Sequence, residues 1–415
     1  MSIAALVHRH VFGAKTDVNG GVGYVDDQTV AFAAGHNIVL HNLEQKSQKF
    51  MPGTEKTDDI VAMAVSPNRK FLAVSESSDK ATVTVFDCIG LKRRRMLQST
   101  ECLSKEFVSI SFSSDSRVLI AQGGAPDWTL IIWSWEKSKQ LGFLKMTANP
   151  SNTCVHAACS LVDSNSVSVV GNGILKQIKI LESGLKLLPS AIGKRDPQNY
   201  TAQAWTGDDK LIVGTDHGDI LVIEGSELKA NLNKVQTELS CVESLCVYSK
   251  GFVVGCDDGV ITLFEKTDDR DLYKRTRSFR NESNSFKVRS MALSPSEDTL
   301  VVALDNSQLF TFQLSNADIR CPPPPNPPSR RSPLTSISPP QPLYSAAPFT
   351  IPFSRLLSKS GDLRFDHMIS SFHYGQVTGM EPAIRKPLLA TCGLDKNIRI
   401  WNYVDRTLEL FKVRV

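Results

Sequence analysis

Cys154-Val155-His156-Ala157-Ala158-Cys159 places two thiols and an imidazole within one short run, and Cys241 and Cys246 repeat the thiol spacing. Thiolate and imidazole are the ligands zinc prefers, usually two to four residues apart and joined by a second pair at a defined distance. That second pair is missing, and on an alternating strand Cys154 and Cys159 are expected to point to opposite faces. They read as buried thiols packed as small hydrophobes. Gly20-Gly21-Val22-Gly23 has a phosphate-loop composition but leads into a strand, so no helix N-terminus waits for an anion. It reads as a turn. His217 lies between Asp216 and Asp219 with no Ser or Cys recognisable as a nucleophile beside it, so a local hydrogen bond at a turn is expected. No catalytic residue, cofactor site or metal site is expected, and the chain does not read as an enzyme.

One basic cluster stands out, Lys92-Arg93-Arg94-Arg95. It follows a strand ending at Asp87 and is expected on a loop at the rim. It is either a solvated loop or a salt-sensitive contact to an acidic surface such as the tubulin tail region. No aromatic residues interleave with it, so nucleic acid is not the expected partner. The charge balance agrees: 47 basic against 43 acidic residues leave only +4. Nine cysteines, an odd number without a framework, point to a reducing compartment. The start has no apolar run behind a basic one, and no stretch approaches the roughly 18 apolar residues of a membrane helix. A soluble protein of the cytoplasm or cytoskeleton is expected, with no membrane partner; its oligomeric state is not legible.

The elements that carry these residues repeat. Ala390 to Tyr403, ATCGLDKNIRIWNY, reads as a hairpin with an Asp395 elbow and a strand ending in Trp401. The same frame fits Asp127 with Trp133 and Asp258 with Phe264, and weaker copies end at His41, Phe86, Leu181, Ile223 and Phe312. From His41 to Phe312 the steps are roughly 41 to 48 residues, the spacing of four-stranded propeller blades. Each unit also carries an earlier hairpin, as in VAMAVSPNRKFLAVS and RSMALSPSEDTLVVAL, with Pro, Asn or Asp at the turn. Period-two alternation at regular spacing means an all-β array. The Asp elbow before an apolar-x-apolar-Trp strand resembles the WD40 repeat. In that family the Asp bonds backbone and hydroxyl groups of its own blade, which makes Asp127, Trp133, Asp258, Phe264, Asp395 and Trp401 structural residues of their blades.

Seven units lie between Gly21 and Ser315, and the last ends at Leu314 without an outer strand. The alternating Ala5–Val11 is expected to supply that strand and close a seven-bladed WD40-like β-propeller over residues 1–316, leaving no open sheet edge. Residues 317–365, dense in proline and serine, are expected to be a disordered linker. Arg330-Arg331-Ser332-Pro333 and Ser338-Pro339 could serve as ligands of proline-binding modules or as phosphorylation sites, but plain linker is preferred. Residues 366–415 then form an orphan WD-like unit, the first blade of a missing second propeller; an eighth blade in one ring is the alternative.

HVFG (His10–Gly13), QKFMPGTEK (Gln48–Lys56), SPNRKFLAVSE (Ser66–Glu76) and IRKPLLATCGLDKNIRIWNY (Ile384–Tyr403) resemble the family of cilia- and flagella-associated protein 57, axonemal WD-repeat proteins. The resemblance covers the start through about Asn316 and the last unit. That family continues into a second propeller and a coiled coil, so the resemblance implies a truncated or alternatively spliced form with an atypical proline-rich insert. It also implies an axonemal scaffold that helps place inner dynein arms, with axonemal proteins, inner dynein arm components and tubulin as partners. The alternatives are a generic intracellular WD40 adaptor, or a microtubule-binding propeller outside cilia. A propeller enzyme with a site in the central channel would need carboxylates, histidines or arginines at the starts of the innermost strands. VAMAV, VSISF and RSMAL begin with apolar or small residues instead.

Overall fold

The computed structural model describes residues 9–413 apart from 55, 150, 194–195, 233–237, 269–271, 281–285, 315–364, 370–372 and 374. Its described residues form eight four-stranded antiparallel sheets. Each sheet is a blade, and blades 1 to 8 are numbered in chain order.

One turn builds half of them. Between the first two strands of blade 2, Arg69 N donates to Ser66 O at 2.8 Å, and Phe71 N donates to Ser66 Oγ at 3.0 Å. The same pair recurs at Ser113, Thr206 and Ser294, each with its carbonyl closing a turn and its hydroxyl capping the next strand. The residue that closes each turn has positive φ: Arg69, Ser116, Asp209 and Glu297. A hydroxyl side chain can replace a ladder partner at this point, so the repeated Ser or Thr has a local cause. The second and third strands that follow, such as Phe71–Ser77 and Thr82–Asp87, are buried along nearly their whole length. Strands covered on both faces read as apolar runs rich in β-branched residues.

The ring is settled by its cores. Seven apolar clusters each join two neighbouring blades, beginning with Ile38, Leu40, Leu72 and Phe86 between blades 1 and 2. The circle closes where Val22, Tyr24 and Phe32 of blade 1 meet Val301, Ala303 and Leu309 of blade 7. Val22–Tyr24, innermost in blade 1, lies beside Val288–Leu293 of blade 7 on one side and Asp59–Val65 of blade 2 on the other. The protein is an all-β, seven-bladed propeller with one further blade.

The closing strand differs from the expected one. Leu309–Gln313 pairs with Phe365–Ile369, with Phe312 opposite Phe365 and Leu309 opposite Ile369. The fourth strand of blade 7 is therefore supplied from after the proline-rich segment rather than by Ala5–Val11. Of that stretch, residues 9–11 are not in a strand, and residues 1–8 lie outside the described residues. Val11 instead exchanges hydrogen bonds with the Gln48 side chain on the outer strand of blade 1. The boundary at residue 366 moves accordingly: 315–364 connects two paired strands of one blade, and blade 8 begins at Val377. The Ser332 and Ser338 motifs lie outside the described residues.

Candidate functional site

Blade 8 holds the most complete polar constellation. Trp401 Nε1 donates to Thr391 Oγ1 at 2.9 Å, Thr391 Oγ1 lies 2.9 Å from His373 Nε2, and His373 Nδ1 lies 2.8 Å from Asp395 Oδ1. Arg399 Nη1 donates to Asp395 Oδ2 at 2.8 Å. Burial raises the Asp395 carboxyl, but hydrogen bonds from His373, Arg399 and Asn397 outweigh it and hold the group below the usual carboxylate range. Every member is engaged by another, so the set fastens the blade.

The elbows inside the ring are simpler. Asp127 Oδ2 accepts from Leu103 N at 3.0 Å and Thr129 Oγ1 at 2.8 Å. Asp258 Oδ1 accepts from Ser240 Oγ at 3.0 Å and Val260 N at 3.2 Å. Trp133 meets Phe107 edge-on at 5.6 Å, and Phe264 stacks on Phe252 at 5.1 Å.

The thiols come together in a way alternation did not predict. A bulge between Cys154 and His156 shifts the phase of the strand. Cys154 and Cys159 consequently enter the same core between blades 3 and 4. Burial pushes both thiols up to about 12, which leaves them protonated and poor ligands. Among the described residues no three His, Cys, Asp or Glu side chains converge on one point. His217 is exposed and bonded to its neighbour Asp216. Gly20 takes φ +63°, and a Cβ there would sit 2.4 Å from Met63 O, so the glycine serves a close backbone approach.

That approach crosses the channel. Asn19 N donates to Val61 O and Asn19 O accepts from Met63 N, both at 2.9 Å, beside the innermost strand of blade 2. Its side-chain amide donates to Val155 O of blade 4 at 2.8 Å. Polar side chains of other innermost strands likewise knit blades together: Gln203 donates to His156 O at 2.9 Å and Ser244 to Val288 O at 2.8 Å.

The basic run lies on regular structure rather than a loop. Lys92–Leu97 is the outer strand of blade 2, with Lys92 to Met96 exposed. A strand of like charges is tolerated at a sheet edge because nothing packs beyond it. Arg94 pairs with Asp87, whose carboxyl is lowered first by the Gly90 N–H and then by Arg94. Arg95 Nε donates to Glu136 O at 2.9 Å. Lys92 and Arg93 form no ion pair among the described residues.

A cleft of about 1000 Å³ separates the ring from blade 8, lined by His10, Phe12, His41, Met368, Trp401 and Arg406 among others. Phe12 and Trp401 bridge it at 4.9 Å. Nothing in the spacing of His10 and His41 signalled this meeting. The tetrad partner His373, 22 residues before Asp395, was legible in principle but lacks the usual preceding glycine. Among the described residues no helix is long and apolar enough to cross a membrane.

A family model described as the CFAP43 N-terminal domain matches residues 17–320, and one described as WD domain, G-beta repeat, matches residues 368–402. The second match begins within the outer strand of blade 7, so the sequence repeat is staggered from the blade by one strand. Cilia- and flagella-associated protein 57 of Mus musculus is 29% identical over 99% of this chain and 34% of its own length. Cilia- and flagella-associated protein 57 A of Tetrahymena thermophila is 24% identical over 97% of this chain and 33% of its own length. The chain thus spans about a third of the length of these relatives. Among solved structures, a chain of the Mitotic Checkpoint Complex aligns with a TM-score of 0.59 at 15% identity, covering 76% of this chain and 96% of that one. The Cps50 (Swd1) beta-propeller domain of Myceliophteria thermophila aligns with a TM-score of 0.54 at 17% identity, covering 83% and 96%. At such identities the likeness concerns fold alone.

Proposed function

Because the chain belongs to the family of the CFAP43 N-terminal domain, we propose that it is a non-enzymatic scaffold of the ciliary and flagellar axoneme. In this reading it is a platform for protein contacts, associated with inner dynein arm assembly and cilium motility. The observation that carries the proposal is kinship along nearly the whole chain with proteins named as cilia- and flagella-associated. The physical setting favours it. The blade 8 polar groups bond to one another, Asn19 joins blades 2 and 4, and an exposed basic strand stands on the rim. Rigid blades hold their edges and loops in place for contact.

The partners proposed are axonemal proteins, inner dynein arm components and tubulin among them. Lys92 and Arg93 are the side chains offered to an acidic surface. A tagged chain expressed in a ciliated cell should enter the cilium and stay with the axoneme after detergent extraction. A tag that remains diffuse in the cell body, or leaves with the detergent-soluble fraction, contradicts the assignment.

A further inference from the structure

The outer strands of blades 2 and 3 form one continuous platform. Arg95 Nε reaches Glu136 O at 2.9 Å, and Ser99 Oγ, just past the blade 2 strand, donates to Gln140 Oε1 at 2.8 Å. The blade 3 strand, Lys139–Lys145, is the edge of its sheet, with no strand paired beyond it among the described residues. Natural edges are blunted by charge or brevity. Blade 2 follows that rule with its exposed Lys-Arg run, and blade 4 with an outer strand of only four residues. Blade 3 has a lysine at each end and a bulge at Leu141, yet between the lysines it leaves Leu141 38% and Phe143 50% exposed. Phe143 pairs with Ile131, whose side chain lies in the core between blades 2 and 3. Arg95 pairs with Val85 of the same core. By register, then, Phe143 and Arg95 face one another's blades across the platform.

Cations surround this apolar strip. Lys92, Lys137, Lys139 and Lys145 form no ion pair among the described residues. Of the nearby carboxylates, Asp87 is taken by Arg94, while Glu101 and Glu136 are exposed. At its far end the blade 3 strand runs into a cleft of about 340 Å³ lined by Lys145 and Lys176. The surface is cationic, so the same patch on a second copy of this chain would meet it with like charge. A single aromatic is too few for the serial base stacking that single-stranded nucleic acid uses.

We propose that this platform binds an extended acidic peptide that carries apolar side chains between its carboxylates. Leu141 and Phe143 take the apolar groups, the lysines take the carboxylates, and the free edge of Lys139–Lys145 offers main-chain pairing. The inference rests on the scaffold reading and names the chemistry of one partner for it.

The test uses the full chain and fluorescence anisotropy with three labelled probes: a peptide alternating glutamate with leucine, one alternating glutamate with serine, and a single-stranded RNA of equal charge. The glutamate–leucine peptide is expected to bind about tenfold more tightly than either other probe, a factor typical of one or two well-buried anchors. F143S should remove about that factor with the melting temperature unchanged. K139E combined with K145E should abolish binding at low salt. Should F143S lower the melting temperature, L141S with K145E provides the same readout at two exposed positions. Equal binding of the serine peptide or the RNA, or unchanged affinity in the apolar variants, overturns the proposal. Peptide binding can fail while the tagged chain still reaches the axoneme, and the converse also holds, so the two readings fail separately.

Discussion

Blade 3 and blade 8 share an Asp elbow and a terminal Trp, yet they are held together differently. Blade 3 lies between two neighbours. Trp133, Phe107 and Ile131 pack into the core with blade 2, while Ile120, Leu130 and Ile132 pack into the core with blade 4. Its Asp127 fixes a loop and a hydroxyl, but Asp127 Oδ1 is buried without a partner. Blade 8 has no such pair of neighbours among the described residues. One face meets Phe12 through Trp401, while Ile398 and Leu410 on the other are 45% and 37% exposed. It keeps the full Trp401–Thr391–His373–Asp395 chain with Arg399 added. In blade 3 the neighbouring blades supply the burial, whereas in blade 8 the polar chain is complete within the blade.

The sharpest way to break the comparison is to empty one ring core. W133A should cost about 3–5 kcal/mol, the range for a large aromatic removed from a packed site. Chemical denaturation should show one cooperative loss of the whole ring; melting of blade 3 by itself would mean the blades are less interdependent than their shared cores imply. In blade 8 the corresponding change is T391V, which leaves the buried Trp401 N–H without its acceptor at about 1–3 kcal/mol. Hydrogen exchange should rise across Leu388–Asn402 while the ring's melting temperature stays in place. A fall in the ring transition would show that blade 8 supports the propeller.

Acid should separate the two regions at their junction. Burial first, then Arg406 and His41, lowers His10 to about 4; burial and then Lys46 lower His41. A depressed histidine resists protonation when folded, so its contribution is whole above the ordinary value near 6.5 and fades as pH falls towards about 4. Asp395, held below the usual carboxylate range, stays ionised through that window. Relative to the intrinsic rate at each pH, protection at Thr407–Leu410 should therefore fall between neutral pH and pH about 4 while that of Leu388–Asn402 holds, and H10Q with H41Q should flatten the response. Simultaneous loss of both would place the acid-sensitive step inside the blade. The smallest effect is expected from replacing 315–364 with a tight turn. Phe312 and Phe365 are already opposed across the hairpin, so the ring transition should hardly move. A large drop would show that the segment contributes to folding.

Much of the fold was legible because each level repeated. The steps between strand ends, the hydroxyl-capped turn at Ser66, Ser113, Thr206 and Ser294, and the apolar middle strands all point to blades. The closing strand was not legible. The long proline-rich segment separates Phe365–Ile369 from its partner, and the one-strand stagger between repeat and blade makes that strand read as the start of the next unit. The bulge at Val155 reversed the phase that alternation assigned to Cys154, because one extra residue turns every later side chain over. Lys92–Arg95 read as a loop because charge usually means solvent, yet an outer edge strand meets the same condition. Leu141 and Phe143 give no signal in the sequence, where an exposed apolar pair on an edge looks like any alternating strand. The cleft brings together residues nearly 400 positions apart and could appear only once the ring had been closed.

Closure of that ring is tested most directly by hydrogen exchange at Leu309–Gln313 in the intact chain. With Phe365–Ile369 paired on its outer side, this strand should be protected as strongly as Thr129–Ser134, its counterpart in blade 3. Exchange at the rate of an unpaired edge, with the strands of blades 1 to 6 still protected, would contradict the account.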